Sequence, residues 1–409
     1  MSGLGARLGA LAEVVGDANM GHTRGSRKDR CERRGVAMPL SGVVQRLGLG
    51  WVGGVAALAF AGLAHGGVTP EQPGTTTLGP PSASWFIIKN VMGSASVFDA
   101  ADGEMLGTLS LTPWTPTVSR HRERGEIYAA EVFYARQHDG ERTDVLRIYA
   151  HETLAPVAEV PIPAKVASLH RNYMALLSGG RYVVVFNMTP AQSVSVVDVV
   201  ERRFVGEIST PGCANTMAAG ERGFLMVCGN GTLQWIGLDE NGEEASRVRS
   251  EVFFDVDKDP LLGKPVASGG GWQFMTFEGQ AMRASVADGS IVVSDAWSLM
   301  GEDDQGWRPG GTQPFTVHDE LGLLVVLTHE GEKDTPDEAG TQAWVFHQEG
   351  QRRVGRIEFE EPVGAVHVVE GEVPLLLANS GSNVLVYELA TGRLERTIET
   401  GRGGFLLSY

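Results

Sequence analysis

Short hydrophobic runs separated by turn-forming residues dominate the chain after residue 84. Runs such as 182–186, 323–327 and 375–377 are rich in branched apolar side chains and are bounded by Gly, Asp, Asn or Pro. This pattern is typical of β-strands, and long amphipathic helical patterns are absent from the same part of the sequence. The pattern therefore predicts an all-β protein.

A two-strand unit recurs seven times in this region. In each copy a strand ends near an Asp-like position, a turn reaches Gly or an equivalent, and a second strand follows. The anchor positions are Asp99, Ala150, Asp198, Leu238, Ser285, Phe346 and Glu388, with a mean spacing of about 48 residues. Since a propeller blade needs roughly 40 to 50 residues, the repeat predicts a seven-bladed β-propeller of four-stranded antiparallel blades over residues 85–409. A pair of β-sandwiches is the alternative.

Two long polar segments interrupt the repeat. They cover residues 294–313 and 328–342 and are rich in Gly, Asp, Glu and Thr. Long loops on a rigid scaffold are common places for binding sites, so these segments are candidate binding loops.

The first 64 residues differ from the rest in charge and hydropathy. They carry a net charge of +4, against −20 for the remaining 345 residues. Residues 47–64 contain no charged side chain, follow Arg46 and end in Gly62-Leu63-Ala64, whose small residues suit signal peptidase. This predicts an export leader (signal peptide) over residues 1–64, with Met38 as a candidate start, and a short N-terminal arm over residues 65–84. An uncleaved membrane anchor is the alternative, whereas cleavage leaves no stable membrane insertion.

The predicted export determines how the three cysteines are interpreted. Cys31 lies in the leader, which leaves Cys213 and Cys228 in the mature chain. Two cysteines in an exported protein most simply form one disulfide, here between neighbouring strands. A metal or redox site is the alternative.

Several function classes lack support in the sequence. The acidic body has no cluster of Lys and Arg, so no nucleic-acid partner is predicted. The segment that begins at Asp255 opens like a calcium loop but has Pro260 in place of the required Gly. No HExxH, P-loop or G-x-S-x-G motif is present, so no catalytic residue and no metal site are predicted in this chain.

Five groups of segments resemble, in order, the heavy chain of the quinoprotein amine dehydrogenases, the family of methylamine dehydrogenase and aromatic amine dehydrogenase. They are residues 140–145, 186–198, 211–213 with 228–231, 306–311, and 329–334 with 344–346. The resemblance implies a seven-bladed propeller in a periplasmic heterotetramer of two heavy and two light chains. It further implies a tryptophan tryptophylquinone cofactor in the light chain, oxidative deamination of primary amines to aldehyde and ammonia, and a blue-copper electron acceptor such as amicyanin or azurin. The heavy chain is then a non-catalytic scaffold without a cofactor of its own.

The resemblance also implies roles for individual residues. Trp114 aligns with a phenylalanine beside the quinone at the mouth of the substrate channel, so it is expected to line that channel; packing between Pro113 and Pro116 is the alternative. Cys213 and Cys228 match the family's heavy-chain disulfide.

Trp307 and Arg308 are expected at the light-chain interface, with a purely structural role as the alternative. Arg142, Thr143 and Asp144 are expected to fix a blade turn. The arm over residues 65–84 is shorter than that of the family.

The sequence is also compatible with two other functions. One is a solitary periplasmic propeller that binds a ligand or protein without redox chemistry. The other is a propeller hydrolase or lyase, which the absence of a convergent His and Asp set disfavours.

Overall fold

The computed structural model describes residues 76–90, 93–188 and 191–409. The predicted leader and residues 65–75 of the predicted arm lie outside the described residues. Within these ranges the regular structure consists of thirty β-strands and one short 3-10 helix, Arg171–Tyr173. No helix in the described ranges has the length and hydrophobicity of a membrane span.

The strands form seven antiparallel sheets, each built from consecutive strands apart from the first. Blade 1 contains β1 (Trp85–Asn90), β2 (Ser94–Asp99), β3 (Met105–Ser110) and β30 (Gly404–Ser408). Blade 2 contains β4 (Val118–His121), β5 (Glu126–Arg136), β6 (Asp139–Ala150) and β7 (Pro156–Pro161). Blade 3 contains β8 (Met174–Leu176), β9 (Tyr182–Met188), β10 (Gln192–Asp198) and β11 (Arg203–Ser209). Blade 4 contains β12 (Cys213–Ala218), β13 (Gly223–Cys228), β14 (Leu233–Leu238) and β15 (Glu244–Arg249).

The remaining three blades follow the same plan with additions. Blade 5 contains β16 (Val266–Ser268), β17 (Gly271–Met275), β18 (Gln280–Ala287), β19 (Ser290–Val293) and β20 (Trp297–Ser298). Blade 6 contains β21 (Trp307–Pro309), β22 (Phe315–His318), β23 (Leu323–Glu330), β24 (Gly340–His347) and β25 (Arg352–Val363). Blade 7 contains β26 (Ala365–Val369), β27 (Leu375–Asn379), β28 (Asn383–Glu388) and β29 (Leu394–Glu399).

The ring closes in blade 1, where the C-terminal strand β30 pairs with β1. The register places Ile88 opposite Leu406. One sheet therefore contains strands from both ends of the propeller, which prevents the ring from opening at a free edge. The predicted seven-bladed β-propeller is confirmed, and the two-sandwich alternative is wrong.

Seven hydrophobic clusters hold the ring together, one between each pair of neighbouring blades. Between blades 3 and 4, for example, Phe186 and Phe224 are fully buried. A single four-stranded sheet could not bury both of its faces, whereas each blade in the ring buries both against its neighbours.

The repeated sequence unit corresponds to the third and fourth strands of each blade. Asp198 shows why the anchor is often Asp, because its carboxylate accepts hydrogen bonds from Val200 N (3.1 Å) and Glu201 N (3.0 Å) and closes the turn. At Ala150 the backbone closes the turn instead, through Leu154 N and the carbonyl oxygen of Ala150 (2.9 Å). A small residue is therefore tolerated at this anchor.

The two faces of the propeller differ in their connections. The loop face carries the links between blades and those between second and third strands, including residues 111–117, 162–172, 250–265, 294–314 and 331–339. The turn face carries short hairpins such as residues 177–181 and 219–222. Both long polar segments noted in the sequence therefore emerge on the loop face.

Candidate functional site on the loop face

Trp114 stands on the loop face in the connection between β3 and β4. Its side chain is 46% exposed, while the neighbouring Pro116 is buried. The backbone of Trp114 has a φ of +66°, a conformation that a bulky residue adopts only when its surroundings hold it there. An exposed indole on a constrained backbone fits a binding role better than packing between prolines.

Lys165 holds this backbone from below. Its side chain is fully buried, and its Nζ donates hydrogen bonds to the carbonyl oxygens of Trp114 (3.1 Å) and Val166 (3.2 Å). Burial lowers the pKa of Lys165 to about 8, with the charge of Asp144 opposing this shift. The Lys165 amine therefore ties the Trp114 peptide to the connection between blades 2 and 3.

Glu131 on β5 fixes the other end of the same loop. Its side chain is fully buried, and its Oε2 accepts a hydrogen bond from Thr112 N (2.7 Å). The hydroxyl of Tyr149 donates to Oε1 of the same carboxylate. Thr112 Oγ1 in turn accepts from Val132 N (3.2 Å), so the loop is anchored to blade 2 by both backbone and side chain.

Arg142 and Asp144 position Lys165. The guanidinium of Arg142 donates to both carboxylate oxygens of Asp144 at 2.7 Å and to the carbonyl oxygen of Lys165 at 2.6 Å. Asp144 Oδ1 also accepts from Lys165 N (2.9 Å). These contacts agree with the expected structural role of residues 142–144, although the element they fix is the connection after β7.

A second buried amine lies near Glu131. Lys89 on β1 is 1% exposed, and its Nζ donates to the carbonyl oxygen of Asn90 (2.9 Å). Burial lowers the pKa of Lys89 to about 8, while the negative charge of Glu131 opposes the shift. We call Lys89, Glu131 and Lys165 the buried charge cluster.

None of these three residues is among the functional residues predicted from the sequence. A signal was present, since Lys89 and Glu131 are charged residues inside otherwise apolar strand runs. Charged side chains are rarely fully buried unless they have partners, so a charged residue in such a run indicates a buried polar contact.

The disulfide lies at the loop-face end of blade 4. Cys213 and Cys228 are bonded and occupy directly opposed positions on β12 and β13. The predicted pairing between neighbouring strands is confirmed. Both thiols are consumed by the bond, so they are not available together as metal ligands.

Trp307 and Arg308 also lie on the loop face, on β21 of blade 6. Trp307 is partly buried, with its ring 5.4 Å from that of Trp344. Arg308 donates to Glu278 Oε2 (3.1 Å) and to the carbonyl oxygen of Gly331 (3.2 Å). Both residues therefore make intramolecular contacts, and their expected place at an interface stays a prediction.

Among residues 76–90, 93–188 and 191–409, no group of three or more His, Cys, Asp or Glu side chains could hold a metal ion. The chemistry that these residues offer on the loop face is hydrogen bonding, stacking and shape.

The fold and the loop face define a class: a seven-bladed propeller that presents one constrained, exposed tryptophan among long connections. Solved structures share the architecture at low identity. The chain aligns with the dihydro-heme d1 dehydrogenase NirN with a TM-score of 0.52 and 13% identity, over 82% of this chain and 77% of that one. A functionally unknown protein from Desulfotomaculum acetoxidans aligns with a TM-score of 0.53 and 12% identity, over 78% and 98% of the two chains. These likenesses show the fold alone.

Sequence comparison is more specific. The family model of the methylamine dehydrogenase heavy chain matches residues 90–406. The methylamine dehydrogenase heavy chain of Paracoccus versutus is 26% identical over 292 residues, which is 69% of this chain and 68% of the relative. That of Methylobacillus flagellatus is 26% identical over 277 residues, 66% of this chain and 68% of the relative. The chain belongs to the methylamine dehydrogenase heavy chain family.

Proposed function

We propose that this chain is the heavy subunit of a periplasmic quinoprotein amine dehydrogenase. Its relatives support the coarser statement, an amine dehydrogenase heavy subunit. The finer proposal adds a light chain that carries tryptophan tryptophylquinone, an assembly of two heavy and two light chains, and a blue-copper electron acceptor such as amicyanin or azurin. The complex oxidises primary amines to aldehyde and ammonia.

The observation that carries this proposal is the family match over residues 90–406 together with the exposed, held Trp114. A cofactor made from a partner's own tryptophans needs no ligand set in this chain. It needs a surface that can cover it, and the long connections of the loop face supply one. When present, the quinone supplies an electrophilic carbonyl and accepts the electrons of the amine.

Trp114 then acts on the substrate by shape. A large aromatic side chain at a channel mouth excludes water and limits which amine side chains fit, while its ring face favours cationic or aromatic groups. Lys165 and Glu131 act through Trp114, since they fix its loop by the hydrogen bonds described above. They are positioning residues, and the proton transfers of the reaction belong to the partner chain.

Co-purification tests the proposal. The chain is expressed with the small, cysteine-rich exported protein expected from a neighbouring reading frame and is purified through an affinity tag on the heavy chain. We expect a small coloured subunit to co-elute and the complex to reduce a dye only when a primary amine is added. A colourless single chain without amine-dependent dye reduction would contradict the proposal and would favour a solitary binding propeller.

A further inference from the structure

The central channel of the propeller contains a cation without a counter-ion. Arg171 lies in the short 3-10 helix before β8 and donates to the carbonyl oxygens of Lys264 (3.2 Å) and Pro265 (3.4 Å). No carboxylate in the described part of the chain forms an ion pair with Arg171. Arg171 is partly buried in the channel, and this burial lowers the pKa of Arg171 to about 10. An arginine remains charged at neutral pH, so this unpaired charge is costly unless an anion joins it.

The segment around Arg171 covers the loop-face end of the channel. The Nε2 of His170 lies 2.7 Å from the carbonyl oxygen of Gly263. This hydrogen bond links blade 3 to the loop before blade 5. Between them, Thr216 Oγ1 of blade 4 donates to the carbonyl oxygen of Asn172 (3.1 Å). A cavity of about 260 Å³ begins at Arg171 and Asn172 and runs along the inner strands to Ala218 and Trp272, beside the turn face. The cavity therefore approaches the turn face, away from Trp114.

A second polar group at this position has no partner. Asn172 is 5% exposed and lines the cavity. Its side-chain oxygen Oδ1 is buried without a hydrogen-bond partner, and its Nδ2 donates to no described residue. Buried polar side chains are nearly always hydrogen-bonded, so Asn172 beside the guanidinium of Arg171 points to a polar ligand in the channel.

The surroundings of Arg171 add no negative charge. Burial and, to a smaller extent, the nearby positive charge of Arg171 lower the pKa of His367 to about 3. This imidazole is therefore neutral at pH 7. Its Nε2 lies 3.0 Å from Ser408 Oγ. The cavity wall itself consists of hydroxyl groups and apolar side chains, including Thr117, Ser119, Leu176, Val266 and Leu407.

We propose that the channel beneath Arg171 is a binding site for a small organic carboxylate. The planar fork of a guanidinium matches the two oxygens of a carboxylate, and one negative charge neutralises one positive charge. The Nδ2 group of Asn172 can donate a further hydrogen bond to a carboxylate oxygen, and the apolar wall accommodates a short hydrocarbon chain. An engineered apolar cavity of roughly 150 Å³ holds benzene, so the present volume accommodates an acid of a few carbon atoms. The proposal requires only this chain and is independent of the proposed dehydrogenase role.

Titration of the purified full-length chain tests this site. Butyrate, inorganic phosphate and chloride are titrated separately into wild type and Arg171→Gln by calorimetry, with Arg402→Gln as the control because Arg402 is exposed on the loop face. Hydrogen bonds to charged groups are strong enough that Arg171→Gln is expected to weaken butyrate binding roughly 10- to 100-fold, with Arg402→Gln unchanged. Binding of phosphate or chloride without butyrate, or butyrate binding that is equal in wild type and Arg171→Gln, would overturn the proposal.

Thermal unfolding gives a second readout that does not depend on detecting heat. Without any added acid, Arg171→Gln is expected to unfold at the same temperature as wild type or a higher one, because it removes an uncompensated charge. Added butyrate is expected to raise the melting temperature of wild type and leave that of Arg171→Gln unchanged. An equal response of both proteins, or of neither, would contradict a site at Arg171.

Discussion

Two interfaces between neighbouring blades use different chemistry. The core between blades 3 and 4 consists of apolar and aromatic side chains such as Val184, Phe186 and Phe224. The core between blades 1 and 2 is also apolar, but the buried charge cluster and the Trp114 loop lie beside it. Apolar contacts stabilise the ring at any geometry that excludes water, whereas buried charges stabilise it only with well-placed partners.

The difference indicates where the fold serves more than stability. If the blade interface needed only packing, apolar residues at positions 89, 131 and 165 would provide it without the cost of burying charge. Instead, Lys165 and Glu131 each bond the backbone of one exposed loop, the loop of Trp114. The buried charge cluster therefore fixes one conformation of that loop, which an apolar interface could not do.

Removal of a large apolar side chain from the interface of blades 3 and 4 has the largest expected effect. Phe224→Ala deletes a fully buried ring and is expected to lower the free energy of unfolding by about 3–5 kcal/mol. Urea unfolding followed by far-UV circular dichroism measures this loss. Leu394→Ala, at a 42% exposed position on β29, is the control and is expected to change stability by less than about 0.5 kcal/mol. Equal effects of both variants would refute the assigned core.

Loss of the disulfide comes next. Cys213 and Cys228 are 15 residues apart, and a cross-link that closes a loop of this length stabilises a protein by about 3 kcal/mol. The double variant Cys213→Ser, Cys228→Ser is expected to lose about this much in denaturant unfolding. Mass spectrometry of the native chain after thiol alkylation provides the check, and two alkylated cysteines at these positions would contradict the bond.

The buried charge cluster beside the interface of blades 1 and 2 predicts that the free energy of unfolding depends on pH. The pKa values of Lys89 and Lys165 are lowered to about 8 in the fold, below the ordinary value of 10.5, so the unfolded chain binds more protons between these limits. The free energy of unfolding should therefore rise from pH 8 to pH 10, by up to about 1.4 kcal/mol per pH unit for each lysine. Above this range the buried tyrosines oppose the trend, because burial raises the pKa of Tyr409 to about 12.

Unfolding in urea at a series of pH values measures this slope. The double variant Lys89→Met, Lys165→Met is expected to flatten it, whereas Lys258→Met, at an exposed lysine whose ion pair with Asp255 lies on the surface, should retain the wild-type slope. A slope that survives in the double variant would assign the pH dependence to other groups.

Replacement of Trp114 has the smallest expected effect on stability and a selective effect on function. Trp114→Ala removes a ring that is 46% exposed and keeps a Cβ on the same positive-φ backbone, so the free energy of unfolding should change by less than about 1 kcal/mol. The ratio of kcat/KM for an aromatic and a short aliphatic amine is expected to change several-fold. Met188→Ala, an exposed side chain at the end of β9, is the control. An unchanged ratio would remove Trp114 from the substrate channel.

Much of the fold could be predicted from single residues and their spacing. The anchors from Asp99 to Glu388 mark the third strand of each blade because a hairpin turn imposes local residue preferences that recur in every copy. The pairing of Cys213 with Cys228 followed from export and from the resemblance, and Trp114 from the resemblance alone.

Other parts of the site depend on contacts between distant segments. Lys165 meets the carbonyl of Trp114 only after blades 1 and 2 are packed, since 51 residues separate them. Arg171 reaches Lys264 across 93 residues of sequence. Local patterning reveals that a charge lies in an apolar environment, but it does not reveal which groups face that charge.

Hydroxyl-radical footprinting of the chain, alone and in complex with the proposed light chain, tests most directly whether the loop face binds that partner. If the partner covers the loop face, oxidation of Trp114 should fall several-fold in the complex. Leu321, 48% exposed on the turn face, should be oxidised equally in both states. Protection of Leu321 with unchanged oxidation of Trp114 would place the partner on the opposite face and contradict the account.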